Sequence, residues 1–265
     1  MSTVSTTCLF RFKLFFGRCS QNGLTLYGNG VLLTMRPFIK PCWQVTNMDM
    51  NNNVKKHMDD LLSRYPDLRE SAEKIHTLYF NLENVFFKNK TLFICGNGGS
   101  CSDAEHFIAE LGKGFLSRRH IPAELGEALD AAYPGENYSV RLQRGFRAIS
   151  LNGHPALASA YTNDVDPLMT YAQQLYIFGQ KGDAVLGITT SGNAKNILNL
   201  FKVARILGIS TYLLTGNNEE GPCRKYADFI LDVPAREAYR VQEYHLPIYH
   251  TLAMMLEERF YGSGE

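Results

Sequence analysis

The sequence has little that would tie it to a membrane, to nucleic acid or to an oxidising compartment. Its longest apolar runs fall far short of the roughly 20 residues that span a bilayer, so no transmembrane helix is expected. Charge of one sign is not in excess: 27 Lys and Arg against 26 Asp and Glu leave a net +1, which makes no electrostatic case for a nucleic-acid partner. Of the six cysteines, Cys95, Cys101 and Cys223 show neither metal-ligand nor disulfide spacing, which fits a reducing, cytoplasmic setting. There is one tryptophan, Trp43, no internal repeat and no low-complexity tract. What is there, 265 residues with 45% hydrophobic content, suffices to bury one full core.

Acidic residues are missing altogether from residues 1–48, which carry Arg11, Lys13, Arg18, Arg36 and Lys40; the rest of the chain holds 22 basic against 26 acidic side chains. Such a start resembles a transit peptide in composition. Pro37, Pro41 and scattered glycines break every helical period there, however, and Met48 and Met50 stand just before the first patterned segment. Residues 1–47 are therefore expected to be a non-native or disordered extension outside the fold, and residues 48–265 a single domain.

The stretch from Thr91 to Leu111, TLFICGNGGSCSDAEHFIAEL, organises that domain. Thr91 to Cys95 reads as a buried parallel strand, and Ala104, Phe107, Ile108 and Leu111 recur at helical spacing, with Ser102 or Asp103 as the expected N-cap. A helix that starts beyond the carboxyl end of a parallel strand points free N–H groups and its positive dipole end into the crevice where such sheets bind ligands. The dinucleotide fingerprint is incomplete, because Cys101 stands where its third glycine belongs, and no Lys-Ser or Lys-Thr pair completes a P-loop. His106 and Glu110, four apart, share a helical face. Taken alone they are accounted for by an ordinary hydrogen bond, or by a shared metal ion or proton.

Further strands are expected at Ala148 to Leu151, Ala184 to Thr189, Thr211 to Leu214 and Phe229 to Val233, alternating with helices. That pattern gives a doubly wound, five-stranded parallel α/β sheet flanked by helices, with the two helices over Asn51 to Tyr65 and Asp67 to Phe87 lying outside the sheet. Leu116 to Arg144 is a polar excursion with one or two short helices, and Glu237 to Phe260 is a long final helix carrying Gln242, Glu243, His245 and His250. Thr189-Thr190-Ser191-Gly192-Asn193 repeats the design of the opening turn at a second strand end. One such turn is explained by helix capping; two on one sheet edge suggest a phosphorylated ligand.

GNGGS, then D-A-x-H-x-x-x-E, then T-S-G-N, then Q-E-x-H-x-x-x-x-H together resemble the sugar isomerase (SIS) domain, flavodoxin-like in architecture, and within it the phosphoheptose isomerase family, from about Asn51 to Phe260. The resemblance implies a homotetramer with sites between subunits, isomerising sedoheptulose 7-phosphate to D-glycero-D-manno-heptose 7-phosphate. It implies Zn²⁺ ligands at His106, Glu110, Gln242 and His250, with Glu110 as base and His250 as acid. It implies substrate contacts at Asn97, Gly98, Gly99, Ser100, Glu110, Asn163, Asp164, Thr189, Thr190, Ser191 and Gln242. Ala194 replaces the family's last serine in the hydroxyl turn, and the excursion is longer than usual. His, Glu, Gln and His form an N/O set that suits zinc. Gln242 and His250 lie about 12 Å apart along a helix, so either Gln242 sits in a loosened first turn or separate subunits complete the site. The same domain also serves as a phosphosugar sensor and, in one bacterial branch, as a partner of the replication initiator; a pure binder has no chemical need of the acid/base set.

Overall fold

The structure, a computed structural model, describes the backbone of residues 24–28 and 31–35 and all of residues 51–262. The chain divides into two units, Met1–Gln44 and Val45–Glu265. In the first, β1 (Leu24–Gly28) and β2 (Val31–Met35) form an antiparallel hairpin in which Gly28 pairs with Val31 and Leu24 with Met35. The Asn-Gly pair at positions 29 and 30 between two apolar runs is a hairpin signal that a search for helical periods passes over. The rest of the expected extension lies outside the described residues.

The second unit opens with α1 (Asn52–Arg64), a 3-10 turn at Pro66–Ser71 and α2 (Ala72–Phe87). It continues through β3 (Leu92–Gly96), α3 (Gly99–Gly112), α4 (Ala123–Ala132), α5 (Tyr138–Arg141), β4 (Ala148–Ser150), α6 (Pro155–Asp164) and α7 (Thr170–Phe178). Then come β5 (Ala184–Thr189), α8 (Lys195–Leu207), β6 (Ser210–Gly216), a 3-10 turn at Pro222–Tyr226, β7 (Phe229–Val233) and α9 (Ala238–Tyr261). The five strands form one parallel sheet in the order β4-β3-β5-β6-β7. Strand order reverses at β3, so the crevice opens between the carboxyl ends of β3 and β5, at Gly96 and Thr189.

Strand alternation sorts the core into two layers. Leu92, Ile94, Leu186, Ile188 and Leu214 face a layer made by α1, α2, α3 and α9, whereas Phe93, Cys95, Val185 and Leu213 face α7 and α8. In the central strands β3, β5 and β6 both faces are buried, which is why these read as unbroken apolar runs, whereas the edge strands β4 and β7 are partly exposed. Phe201 of α8 is fully buried against the second layer; truncating a side chain of that size to alanine costs about 3 to 5 kcal/mol. The two amino-terminal helices flank the sheet as expected, α1 packing on α9 and α2 on α9 and β7.

Two boundaries differ from expectation. Helix α3 starts at Gly99, with Gly98 as its N-cap, so Ser102 and Asp103 lie inside it. The backbone itself closes the first turn, Ser100 N–H donating to Asn97 O and Cys101 N–H to Gly98 O, and no side-chain cap is needed. Asn163 and Asp164, expected to separate two helices, instead form the last turn of α6.

The excursion carries α4 and α5, packed on each other, and its two ends are fastened together. Gly114 N–H donates to Gln143 Oε1 at 3.0 Å and Arg144 N–H to Arg119 O at 2.9 Å. Arg119 and Glu257 form an ion pair at 2.8 Å with side chains 0% and 3% exposed. Glu257 also accepts the Phe115, Leu116 and Ser117 amides, and Arg119 donates to Leu111 O and Glu110 O, the open carbonyls at the end of α3. Removing one partner of a pair this deeply buried costs about 3 to 5 kcal/mol, because the other charge is left without a counter-ion.

Candidate functional site

The turn after β3 is held from both sides. Gly98 has φ +57°, a conformation few side chains adopt, and a Cβ on Gly99 would come within 2.4 Å of the Gln242 amide nitrogen. Glycine is thus required at one position by backbone shape and at the next by the close approach of α9. Asn152 pairs with both backbone groups of Gly96, accepting at 3.2 Å and donating at 2.9 Å, and the Tyr171 hydroxyl donates to Gly96 O at 2.6 Å. Asn97 and Asn196 exchange amide hydrogen bonds at 2.9 and 3.0 Å, tying this turn to the first turn of α8. Ser100 lies buried against Gly96. Asn152, Tyr171 and Asn196 were not found from sequence. Their only signal was an asparagine just past a strand end and another in a first helical turn.

The hydroxyl turn follows β5. Thr189 is buried, Thr190 and Ser191 are half-buried, and Gly192 takes φ +72° beneath Gly221. Its carbonyls are occupied, Thr190 O by Gly216 N–H and Ser191 O by the Asn218 amide, while Asn193 N–H reaches Ser191 Oγ at 3.3 Å. Ala194, the N-cap of α8, provides no side-chain acceptor. Two helix N-termini, both without a side-chain cap, therefore face the same sheet edge. That arrangement suits an anion.

The His/Glu cluster forms where α3 meets α9. His106 Nε2 lies 3.4 Å from Glu110 Oε1 and 3.3 Å from His250 Nε2, and the Tyr249 hydroxyl meets His106 Nδ1 at 3.0 Å. Lys113 Nζ donates to the other Glu110 oxygen at 2.9 Å. Burial, and then the neighbouring His106, lower the pKa of His250, favouring the neutral imidazole. Beside His250 lies a cavity of about 250 Å³ walled by Arg64, Tyr65, Phe115 and Met254. Tyr249 was also missed from sequence, since nothing in its spacing marks a side chain that orients a histidine on another helix.

Gln242 does not join this cluster. It sits in the second turn of a continuous α9, against Gly99, about 12 Å along the helix from His250, so the loosened first turn is not observed. Asn163 and Asp164 are exposed and bond each other; no hydrogen bond joins them to either turn. Among the described residues no group of three His, Cys, Asp and Glu side chains is complete as a metal site. The two spacings around His106, 3.4 and 3.3 Å, are nevertheless close to the ~3.4 Å edge of a tetrahedron of zinc ligands. His106, Glu110 and His250 are thus the residues present whose donor chemistry suits a divalent ion, without forming a complete site among the described residues.

No protein-family model matches the sequence. The chain is 33% identical over 206 residues to the phosphoheptose isomerase of Helicobacter pylori strain P12, spanning 77% of this chain and 92% of that protein. It is 30% identical over 191 residues to the phosphoheptose isomerase of Clostridium acetobutylicum, spanning 72% and 84%. The fold matches that of phosphoheptose isomerase from Neisseria gonorrhoeae, with a TM-score of 0.57 and 22% identity over 77% of this chain and 91% of that one. Phosphoheptose isomerase from Francisella tularensis matches with a TM-score of 0.57 and 23% identity over 77% and 94%. Identity at that level along nearly the whole of a bacterial relative, on a shared fold, means that this chain belongs to the phosphoheptose isomerases, a family of enzymes.

Proposed function

We propose that the protein is an aldose–ketose isomerase of a seven-carbon sugar phosphate, interconverting sedoheptulose 7-phosphate and D-glycero-D-manno-heptose 7-phosphate. The observation that carries this reading is the meeting of a carboxylate and two imidazoles at His106, 3.4 and 3.3 Å away, on facing helices beside a cavity. Moving a carbonyl between C1 and C2 takes a proton from one carbon and returns it to the other, while negative charge builds on the oxygens. Glu110 accepts that proton and returns it. His250 donates an N–H to the oxygen on which charge develops, a task a neutral imidazole performs. Lys113 holds the second oxygen of Glu110, and Tyr249 fixes the ring of His106. Zinc held by His106, Glu110 and His250, with Gln242 as fourth ligand, would polarise the same oxygens as a Lewis acid.

The phosphate belongs on the hydroxyl turn and the two uncapped helix ends. Glu110, however, lies about 16 Å along α3 from Gly99, whereas an extended seven-carbon chain with its phosphate spans about 10 Å. That separation along the helix supports a site completed by a neighbouring subunit. A homotetramer with each site shared between subunits resolves both this distance and the position of Gln242. A cytoplasmic location goes with the reading, since charged sugar phosphates do not cross membranes unaided. No helix among the described residues is long and apolar enough to do so.

The test is incubation with sedoheptulose 7-phosphate and shorter ketose phosphates in deuterated water, before and after chelation. Turnover and deuterium uptake at C1 or C2 are expected with the seven-carbon substrate, and both are expected to disappear with the metal that elemental analysis detects. Absence of exchange with every ketose phosphate would favour a phosphosugar-binding module instead.

A further inference from the structure

At the opposite edge of the sheet, by the amino ends of β3 and β4, lies a second cavity of about 330 Å³. Lys90, Arg144 and Arg147 line it, and no Asp or Glu does. Each cation is positioned by a neutral group: Lys90 donates to Lys181 O at 3.0 Å, Arg147 to Thr91 Oγ1 at 3.4 Å, and the Arg144 guanidinium lies 5.0 Å over the Tyr261 ring. None of the three belongs to an ion pair among the described residues. On a unit whose acidic side chains outnumber its basic ones, three uncompensated like charges around one hollow favour an anion. Phe146, Phe260 and Tyr261 supply apolar ring surface, Phe146 standing 5.3 Å from Phe260 and 5.2 Å from Tyr261 between centroids.

We propose that this cavity is a second ligand site, taking a phosphate monoester that carries a planar ring, of the size of a nucleoside monophosphate. The cations take the phosphate, bidentately at the arginines, and the ring rests on the aromatic surface. The volume lies at the small end of known ligand sites. The site is separate from the crevice, because the five residues of β3 put about 17 Å between the two sheet edges. It also touches the machinery of the first site. Phe146 N–H donates to Leu111 O at 3.0 Å and the Arg144 backbone N–H to Arg119 O at 2.9 Å, so the cavity wall adjoins the end of α3 through backbone bonds that side-chain substitutions at Arg144 and Arg147 leave in place.

Titration calorimetry of the full chain with adenosine 5′-monophosphate tests this, with inorganic phosphate, ribose 5-phosphate and adenosine as comparison probes. The monophosphate is expected to bind and to weaken tenfold or more in Arg144→Ala/Arg147→Ala, which keeps isomerase turnover. Thr190→Ala/Ser191→Ala in the hydroxyl turn is expected to leave this binding intact. Lys90→Gln, which removes one cation at the end of a flexible chain, is expected to weaken binding even if the arginine variant fails to fold. Equal binding of ribose 5-phosphate or inorganic phosphate overturns the ring-bearing ligand. Loss of binding in the hydroxyl-turn variant, or none to wild type at millimolar concentration, overturns the site.

Discussion

Glu110 is fixed by three neighbours with different consequences: His106 and Lys113 hold its two carboxylate oxygens, and Arg119 holds its backbone carbonyl. Glu110→Gln keeps the shape and the Arg119 contact but cannot accept a proton. Turnover is expected to fall by about 10²-fold or more, about 2.7 kcal/mol of barrier, with solvent exchange lost in parallel. A variant that keeps the wild-type metal content and exchanges at the wild-type rate would place the base elsewhere. Gly99 makes a second residue-scale prediction. An alanine methyl there drives into the Gln242 amide, so Gly99→Ala is expected to cost about 1 to 3 kcal/mol by overpacking. Most of that cost should vanish in a Gln242→Ala background when both are measured by denaturant unfolding; equal costs in the two backgrounds would mean the glycine serves the turn alone. Helical spacing alone paired only His106 with Glu110, and His250 was singled out through the four motifs taken in order rather than by any mark in its own segment. Tyr249, Asn152, Tyr171 and Asn196 were not, because their partners lie between about 19 and 143 positions away in sequence and only packing brings them together.

Among the elements, α9 stores an acid sensitivity in His245. The residue is 0% exposed and neither ring nitrogen completes a hydrogen bond; Thr215 Oγ1 is likewise buried without a partner. Burial lowers the pKa to about 4, with the Thr215 backbone opposing weakly. Between pH about 6.5 and about 4 the unfolded chain binds a proton here that the folded chain refuses. Stability is therefore complete above this window and falls as pH drops through it, by up to about 3 kcal/mol. Denaturant titrations from pH 7 to 4 should show this slope in wild type and a shallower one in His245→Leu; identical slopes would remove the residue from the account. The central strands β3, β5 and β6 were legible because two-sided burial makes each an apolar run bounded by turns. The start of α3 was not, because a glycine turn can enter a helix without the polar cap that usually announces one.

At the scale of the whole molecule, a site shared between subunits has a consequence that no single-subunit site has. Glu110→Gln protein and Thr190→Ala/Ser191→Ala protein should each be inactive, yet subunits refolded together at equal amounts should recover about a quarter of wild-type activity, the chance that an intact base meets an intact turn. No recovery in verified mixed oligomers would confine the site to one chain. The doubly wound parallel sheet flanked by helices followed from the alternation of strands and helices, whereas the strand order came only with the structure and subunit contacts leave no periodic mark in a single sequence. The fastening of the excursion matters on this scale as well. Its ends are joined by Gly114, Gln143, Arg119 and Arg144 before the chain reaches α4 or after it leaves α5. The closure entropy is thus set at the neck, and lengthening what lies beyond it costs only about 0.6 kcal/mol per doubling. The α4–α5 hairpin is therefore a detachable module beyond which β3, α3 and α9 keep their register, and a reporter peptide spliced between Tyr133 and Asn137 should be carried by the folded enzyme without touching its chemistry.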